Sequence, residues 1–122
     1  MWWYYQGLRE PSDQIAVVKF GASLDAIAGG RESRGILEFI KARLAIEQND
    51  ALMKDGRSAA SIVETIYGAG RSRMIHGSSK TYSHDWEAER GMAESVGRLC
   101  LVAALDWMNA NPLETDIRLI RR

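Results

Sequence analysis

The chain has two histidines, and one of them, His76, stands five residues after Arg71 and directly before Gly77. Residues 67–77 read Tyr-Gly-Ala-Gly-Arg-Ser-Arg-Met-Ile-His-Gly. The polar run Ser78-Ser79-Lys80-Thr81 comes next, then Tyr82 and His84. No acidic residue lies between Glu64 and Asp85, so a chain of zero formal net charge gathers Arg71, Arg73, Lys80 and both histidines into one basic segment. Arginine presents a planar fork of donors that matches phosphate oxygens two at a time. Histidine, with an unperturbed pKa of ~6.5, takes and gives protons near neutral pH. Together they meet the needs of metal-free RNA cleavage. A base removes the proton of the ribose 2′-hydroxyl, that oxygen attacks the adjacent phosphorus, and fixed positive charge stabilises the phosphorane-like transition state.

Helical geometry limits the pairing. In a regular helix, positions 73 and 76 share a face, whereas positions 71 and 76 diverge by roughly 140°. Bringing Arg71 to His76 calls for a helix that is distorted or ending there, and the glycines at 68, 70 and 77 supply that weakness. Whether Arg71 or Arg73 is the catalytic arginine stays open, because Arg73 equally suits a phosphate further along the RNA. The plainer reading is a helix C-terminus at which a histidine and arginines offset the helix dipole. Ser72, Arg73, Ser78, Lys80, Tyr82 and His84 are candidates for RNA contact, with His84 equally a loop or cap residue. No Cys/His cluster has zinc-ligand spacing, so neither a metal nor a cofactor is expected.

The elements that must position this segment read as helices. The 122 residues make one domain, 46% hydrophobic and 26% charged, rich in helix formers and with only two prolines. The single Cys100 cannot form an internal disulfide and sits in an apolar run, so nothing points to an oxidising compartment. No run approaches the ~18 apolar residues of a membrane span, and the start lacks the basic and apolar regions of a signal peptide. The chain is therefore expected in the cytoplasm, with no membrane partner. Trp2, Trp3, Tyr4 and Tyr5 crowd the start, as on the back half of a helix whose front lies upstream. Residues 1–11 are accordingly read as the remnant of a preceding helix, and the sequence as a piece of a longer protein.

Pro11 separates this piece from a helix over 14–28, capped by Ser12 or Asp13 and ended by Gly29-Gly30. Gly21 inside it marks a close crossing. Ile36, Leu37, Ile40 and Leu44 form a stripe on a helix over 33–48. A third helix opens at Ser58 or Ser61, where Ser61 and Glu64 fit a capping box. It buries Ile62, Val63, Ile66 and Tyr67, and Gly68 and Gly70 weaken it just ahead of Arg71. The longest helix spans 86–109, capped by Ser83 or Asp85. Between Leu99 and Met108 it is apolar almost all round, which calls for burial on every side as a central helix or an oligomer contact. Residues 113–122 read as a charged tail. The expectation is an all-α, up-and-down bundle of four main helices with a short extra helix at the N-terminus.

With Ile66 and Tyr67 upstream and Gly77 after it, the Arg71-Ser72-x3-His76 pattern resembles the R-x4–6-H signature of HEPN domains (higher eukaryotes and prokaryotes nucleotide-binding). It is closest to the ApeA-like branch, although Tyr67 stands one residue further from Arg71 than that branch usually has. The likeness runs from about Gln14 to Met108 and includes the His84-Asp85-Trp86 start of the long helix. It implies a helical bundle that forms a homodimer with paired motifs facing one cleft. It also implies a metal-independent endoribonuclease with Arg71 and His76 as the catalytic pair and Ser72 at the polar position after the arginine. The substrate would be RNA, with tRNA among the candidates. Such a domain would be the effector of a phage-defence (abortive infection) or toxin-like protein, under an upstream sensing domain. The alternative within the same fold is a non-catalytic module that binds RNA or nucleotide, or serves dimerisation.

Overall fold

The computed structural model describes residues 2–76 and 86–122, and for residues 69–76 it describes the backbone alone. Among these residues lie five helices: α1 (Trp2–Arg9), α2 (Asp13–Ile27), α3 (Glu32–Leu44), α4 (Ala59–His76) and α5 (Glu87–Ala110). A 3-10 turn, Ile117–Arg121, follows. No strand forms among the described residues, where Ala51 and Ser58 make only an isolated bridge. The fold is an all-α helical bundle, as periodicity and composition predict.

The central helix is α2. Pro11 cannot continue α1, and the Ser12 hydroxyl then accepts the Ile15 N–H at 3.4 Å to start α2. Ala16, Val17, Phe20, Leu24 and Ile27 are buried, and α2 touches each of the other four helices. Helix α1 lies so close that a Cβ on Gly7 would stand 2.8 Å from the Phe20 ring, and the Tyr4 ring sits 5.4 Å from it. Full burial of one such phenyl ring stabilises the fold by about 1.5–3 kcal/mol. Arg90 of α5 donates to Asp13 at 3.0 Å and to the Gly7 carbonyl at 3.3 Å. Gly97, further along α5, packs under Tyr4 and beside Phe20. These pairs make α5 run parallel to α2 and antiparallel to α1. Gly21 does mark a crossing, because a Cβ there would meet Ile66 of α4 at 3.5 Å.

Four features depart from the pattern reading. Helix α3 stops at Leu44, four residues short of the predicted end at 48, because Ala45 turns left-handed (φ 56°) and closes the helix on the Lys41 carbonyl. Helix α4 is capped by Ser58, which accepts the Ser61 N–H at 3.2 Å, so Ser61 is a first-turn residue and not the cap. Helix α5 is not central. Leu99, Val102, Leu105 and Met108 are 41–52% exposed, since α2 has taken the place where a helix is covered on all sides. The charged tail is also more than a tail: Ile120 is fully buried, and the 3-10 turn packs on α3.

The docking of that last turn explains the joint between α2 and α3. Gly29 and Gly30 have φ of 81° and 94°, and the two residues after them, Arg31 (74°) and Glu32 (58°), are left-handed too. A left-handed non-glycine residue costs about 1–2 kcal/mol, so two in a row need external support. Arg121 provides it by donating through Nη1 to the carbonyls of Ala28, Gly29 and Gly30 at 3.2, 3.2 and 3.3 Å. Asp25 accepts the Glu32 N–H at 2.8 Å from the other side. Gly35 fits beneath the turn, where a Cβ would fall 2.0 Å from the Gly30 oxygen. Among the described residues, no helix is long and apolar enough to cross a membrane.

Candidate functional site at the end of α4

Helix α4 carries the basic segment, and its first half is firmly held. Ile62, Val63 and Ile66 are buried to within 1%, and Tyr67 packs half-buried against the same core. The helix does not break at Gly68 or Gly70, since its backbone stays helical through His76. A glycine raises the free energy of a helix by only ~1 kcal/mol, and the packing of Ile62 to Tyr67 exceeds that. Positions 71 and 76 consequently keep the roughly 140° separation of a regular helix, and positions 73 and 76 share a face.

Arg71, Ser72, Arg73 and His76 are thus placed by their backbone on the last two turns of α4, and their side chains lie outside the described residues. Ser78, Lys80, Tyr82 and His84 lie outside the described residues altogether, as do the proposed caps Ser83 and Asp85. The description resumes at Trp86, which packs half-buried on the core. Helix α5 opens with Glu87 and Glu89 in its first turn, a favourable sign against the positive end of the helix dipole. Arg90 fixes this end of α5 to Asp13 and to the end of α1. Beside it, the Lys19 ammonium bonds Glu10 and holds that carboxyl below its usual range. Nine residues therefore connect His76 to the anchored start of α5.

A second charged constellation escaped the pattern reading. Glu38 of α3 meets three guanidinium groups: Arg31 at 3.4 Å, Arg34 at 3.6 Å and Arg121 at 3.4 Å. Arg118, paired with Asp116 at 2.8 Å, stands on the facing wall of the same cleft. Residues 31 and 118 are too far apart in sequence for local periodicity to relate them. The signal that was available is the Ile117-Arg118-Leu119-Ile120-Arg121 alternation, which is too apolar for a free tail. Among the described residues, no three His, Cys, Asp or Glu side chains come together as a metal-binding set. Comparison of the chain with protein-family models, with curated proteins and with solved structures finds no match.

Proposed function

We propose that the domain is a metal-independent RNA endonuclease of the HEPN type, working as a homodimer in the cytoplasm. The observation that carries this reading is the Arg71-Ser72-x3-His76-Gly77 pattern inside a segment free of acidic residues from 65 to 84. The helical bundle and the α4 backbone, helical through residue 76, support it, because they set the segment on a helix whose first half is buried in the core. In the reaction, one histidine takes the 2′-hydroxyl proton and the 2′-oxygen forms a bond to phosphorus. The bond from phosphorus to the 5′-oxygen breaks, and that oxygen leaves with a proton from a second histidine. The products are a 2′,3′-cyclic phosphate and a 5′-hydroxyl. Arginine stabilises the charge that builds on the phosphoryl oxygens. One copy of the segment has one motif histidine, so base and acid come from His76 and the partner's copy of it. An upstream sensing domain would license cleavage in a phage-defence or toxin setting, with tRNA as one candidate target.

The regular helix at 71–76 favours one second reading. If positions 71 and 76 stay 140° apart in the working dimer, the pattern binds RNA or nucleotide without cutting. Both readings are tested by incubating the protein with tRNA and total RNA in EDTA beside a His76→Ala variant. Cleavage that survives EDTA, yields cyclic phosphate ends and disappears in the variant is the expected result. Intact RNA with salt-sensitive binding would favour the non-catalytic module, and a monomer by light scattering that neither cuts nor binds RNA would end both.

A further inference from the structure

The cleft between α3 and the final 3-10 turn is a second site, and we propose that it binds a compact phosphoanion, the diphosphate group. It encloses about 290 Å3, and its walls set Arg31, Arg118, Arg121 and Arg122 against only Glu38 and Asp116. The imbalance is sharpest at Glu38, where three guanidinium groups share one carboxylate at 3.4–3.6 Å. Charge-assisted bonds ordinarily close to about 2.7–2.9 Å, so a single carboxylate leaves these donors under-used. Arg121 is the built part of the site. Its side chain is only 10% exposed and is fixed by the three carbonyls of the α2–α3 turn. Arg31 and Arg118 are the accessible part, 48% and 70% exposed. Asp116 takes Nε and Nη2 of Arg118 and leaves Nη1, while Glu38 takes Nη1 of Arg31 and leaves its other donors for phosphate oxygens. Donors left over at the start of α3 and on the last turn match two adjacent phosphates better than one.

A further observation points the same way. Arg31 is held in the left-handed region, a conformation that persists in proteins where surroundings over-determine it, and ligand clamps are among such places. Asp25 already meets the start of α3 at the Glu32 N–H, so the positive field of the cleft comes from its arginines. The Arg122 backbone oxygen is engaged by Arg43. The cleft contains one apolar wall residue, Leu119, and no aromatic ring. That composition selects a charged group and offers no stacking surface for a base. The inference does not depend on RNA cleavage at the other site.

The test is calorimetric titration of the full chain with inorganic diphosphate, ionic strength being matched with NaCl. Binding in the parent should weaken by about tenfold or more in Arg31→Gly and in Arg118→Ala, while Arg9→Ala, on the α1 surface, binds as the parent does. Arg31→Gly removes the guanidinium at a residue whose φ suits glycine, so its melting temperature should not fall, and weaker binding cannot then be ascribed to unfolding. ADP in place of diphosphate identifies the source: tighter binding assigns a nucleotide, equal binding a free phosphoanion. The proposal is overturned if diphosphate gives no heat at millimolar concentration, or if both arginine variants bind like the parent. It is also overturned if an RNA without terminal phosphates competes equally well per phosphate.

Discussion

Replacing Gly68 by alanine should stabilise the domain and leave RNA cleavage unchanged. Gly68 lies inside α4, and among the described residues no atom stands within 4 Å of where its Cβ would be. The substitution therefore adds a methyl group into open space and removes the excess backbone freedom of glycine from the unfolded chain. A helix-interior exchange of this kind is worth about 0.5–1 kcal/mol, which for a chain of this size raises the melting temperature by about 2–5 °C. Gly91 in α5 is open in the same way and serves as a matched control far from the motif in sequence. Urea titration followed by far-UV circular dichroism should show both variants with higher midpoints and unchanged slopes. Cleavage of RNA by Gly68→Ala should match the parent, because the backbone is already helical on both sides of residue 68. The reasoning is refuted if Gly91→Ala gains stability while Gly68→Ala loses it. It is equally refuted if Gly68→Ala folds well but no longer cuts, since the glycine would then be needed for a bend or for the approach of RNA.

Two further outcomes follow from burial and close contact. Gly35→Ala should go the opposite way to Gly68→Ala and lower the urea midpoint despite its better helix propensity, because its Cβ would fall 2.0 Å from a backbone oxygen in a turn held by Arg121; overpacking of this kind costs about 1–3 kcal/mol or more. The Cys100 thiol, pushed up to about 12 by burial, stays protonated in the fold while the unfolded thiol ionises near pH 9, so stability should fall by about 1.4 kcal/mol per pH unit above ~9. Unfolding curves at pH 8, 9 and 10 on the parent and on Cys100→Ala check this, and an identical slope in both proteins would sink it.

The parts of the fold that could be read from the sequence are those set by neighbours within a turn or two. The apolar spacing of Val17, Phe20, Leu24 and Ile27 and the capping serine at 12 identify α2. Ile62, Val63 and Ile66 identify the buried edge of α4 in the same way. What could not be read are matters of competition between distant elements. Both α2 and α5 are apolar enough to be central, and spacing alone does not say which one the others surround. The contest goes to α2, and Leu99, Val102 and Leu105 stay half in water. The early end of α3 depends on Ala45 adopting a left-handed conformation, which nothing in its residue type announces. At the candidate site, the sequence shows the residue types and their place on α4, and it overstates the effect of two glycines on a helix already packed at Ile66. The arginine cleft depends on contacts across some ninety residues and has no local signature.

The Arg121 clamp has a consequence for how the chain is made. The turn at residues 28–30 leaves the ribosome 91 to 93 residues ahead of the arginine that holds it. At synthesis rates of ~5–20 residues per second, the interval is on the order of 5–20 s. The contact between α1 and α2, Gly7 against Phe20, needs nothing beyond Ile27 and can form before α3 does. The left-handed pair Arg31 and Glu32 has no such early partner in Arg121, so α3 docks in its final place only when the last turn of the chain arrives. The helical hairpin and the arginine cleft are therefore completed many seconds apart during synthesis.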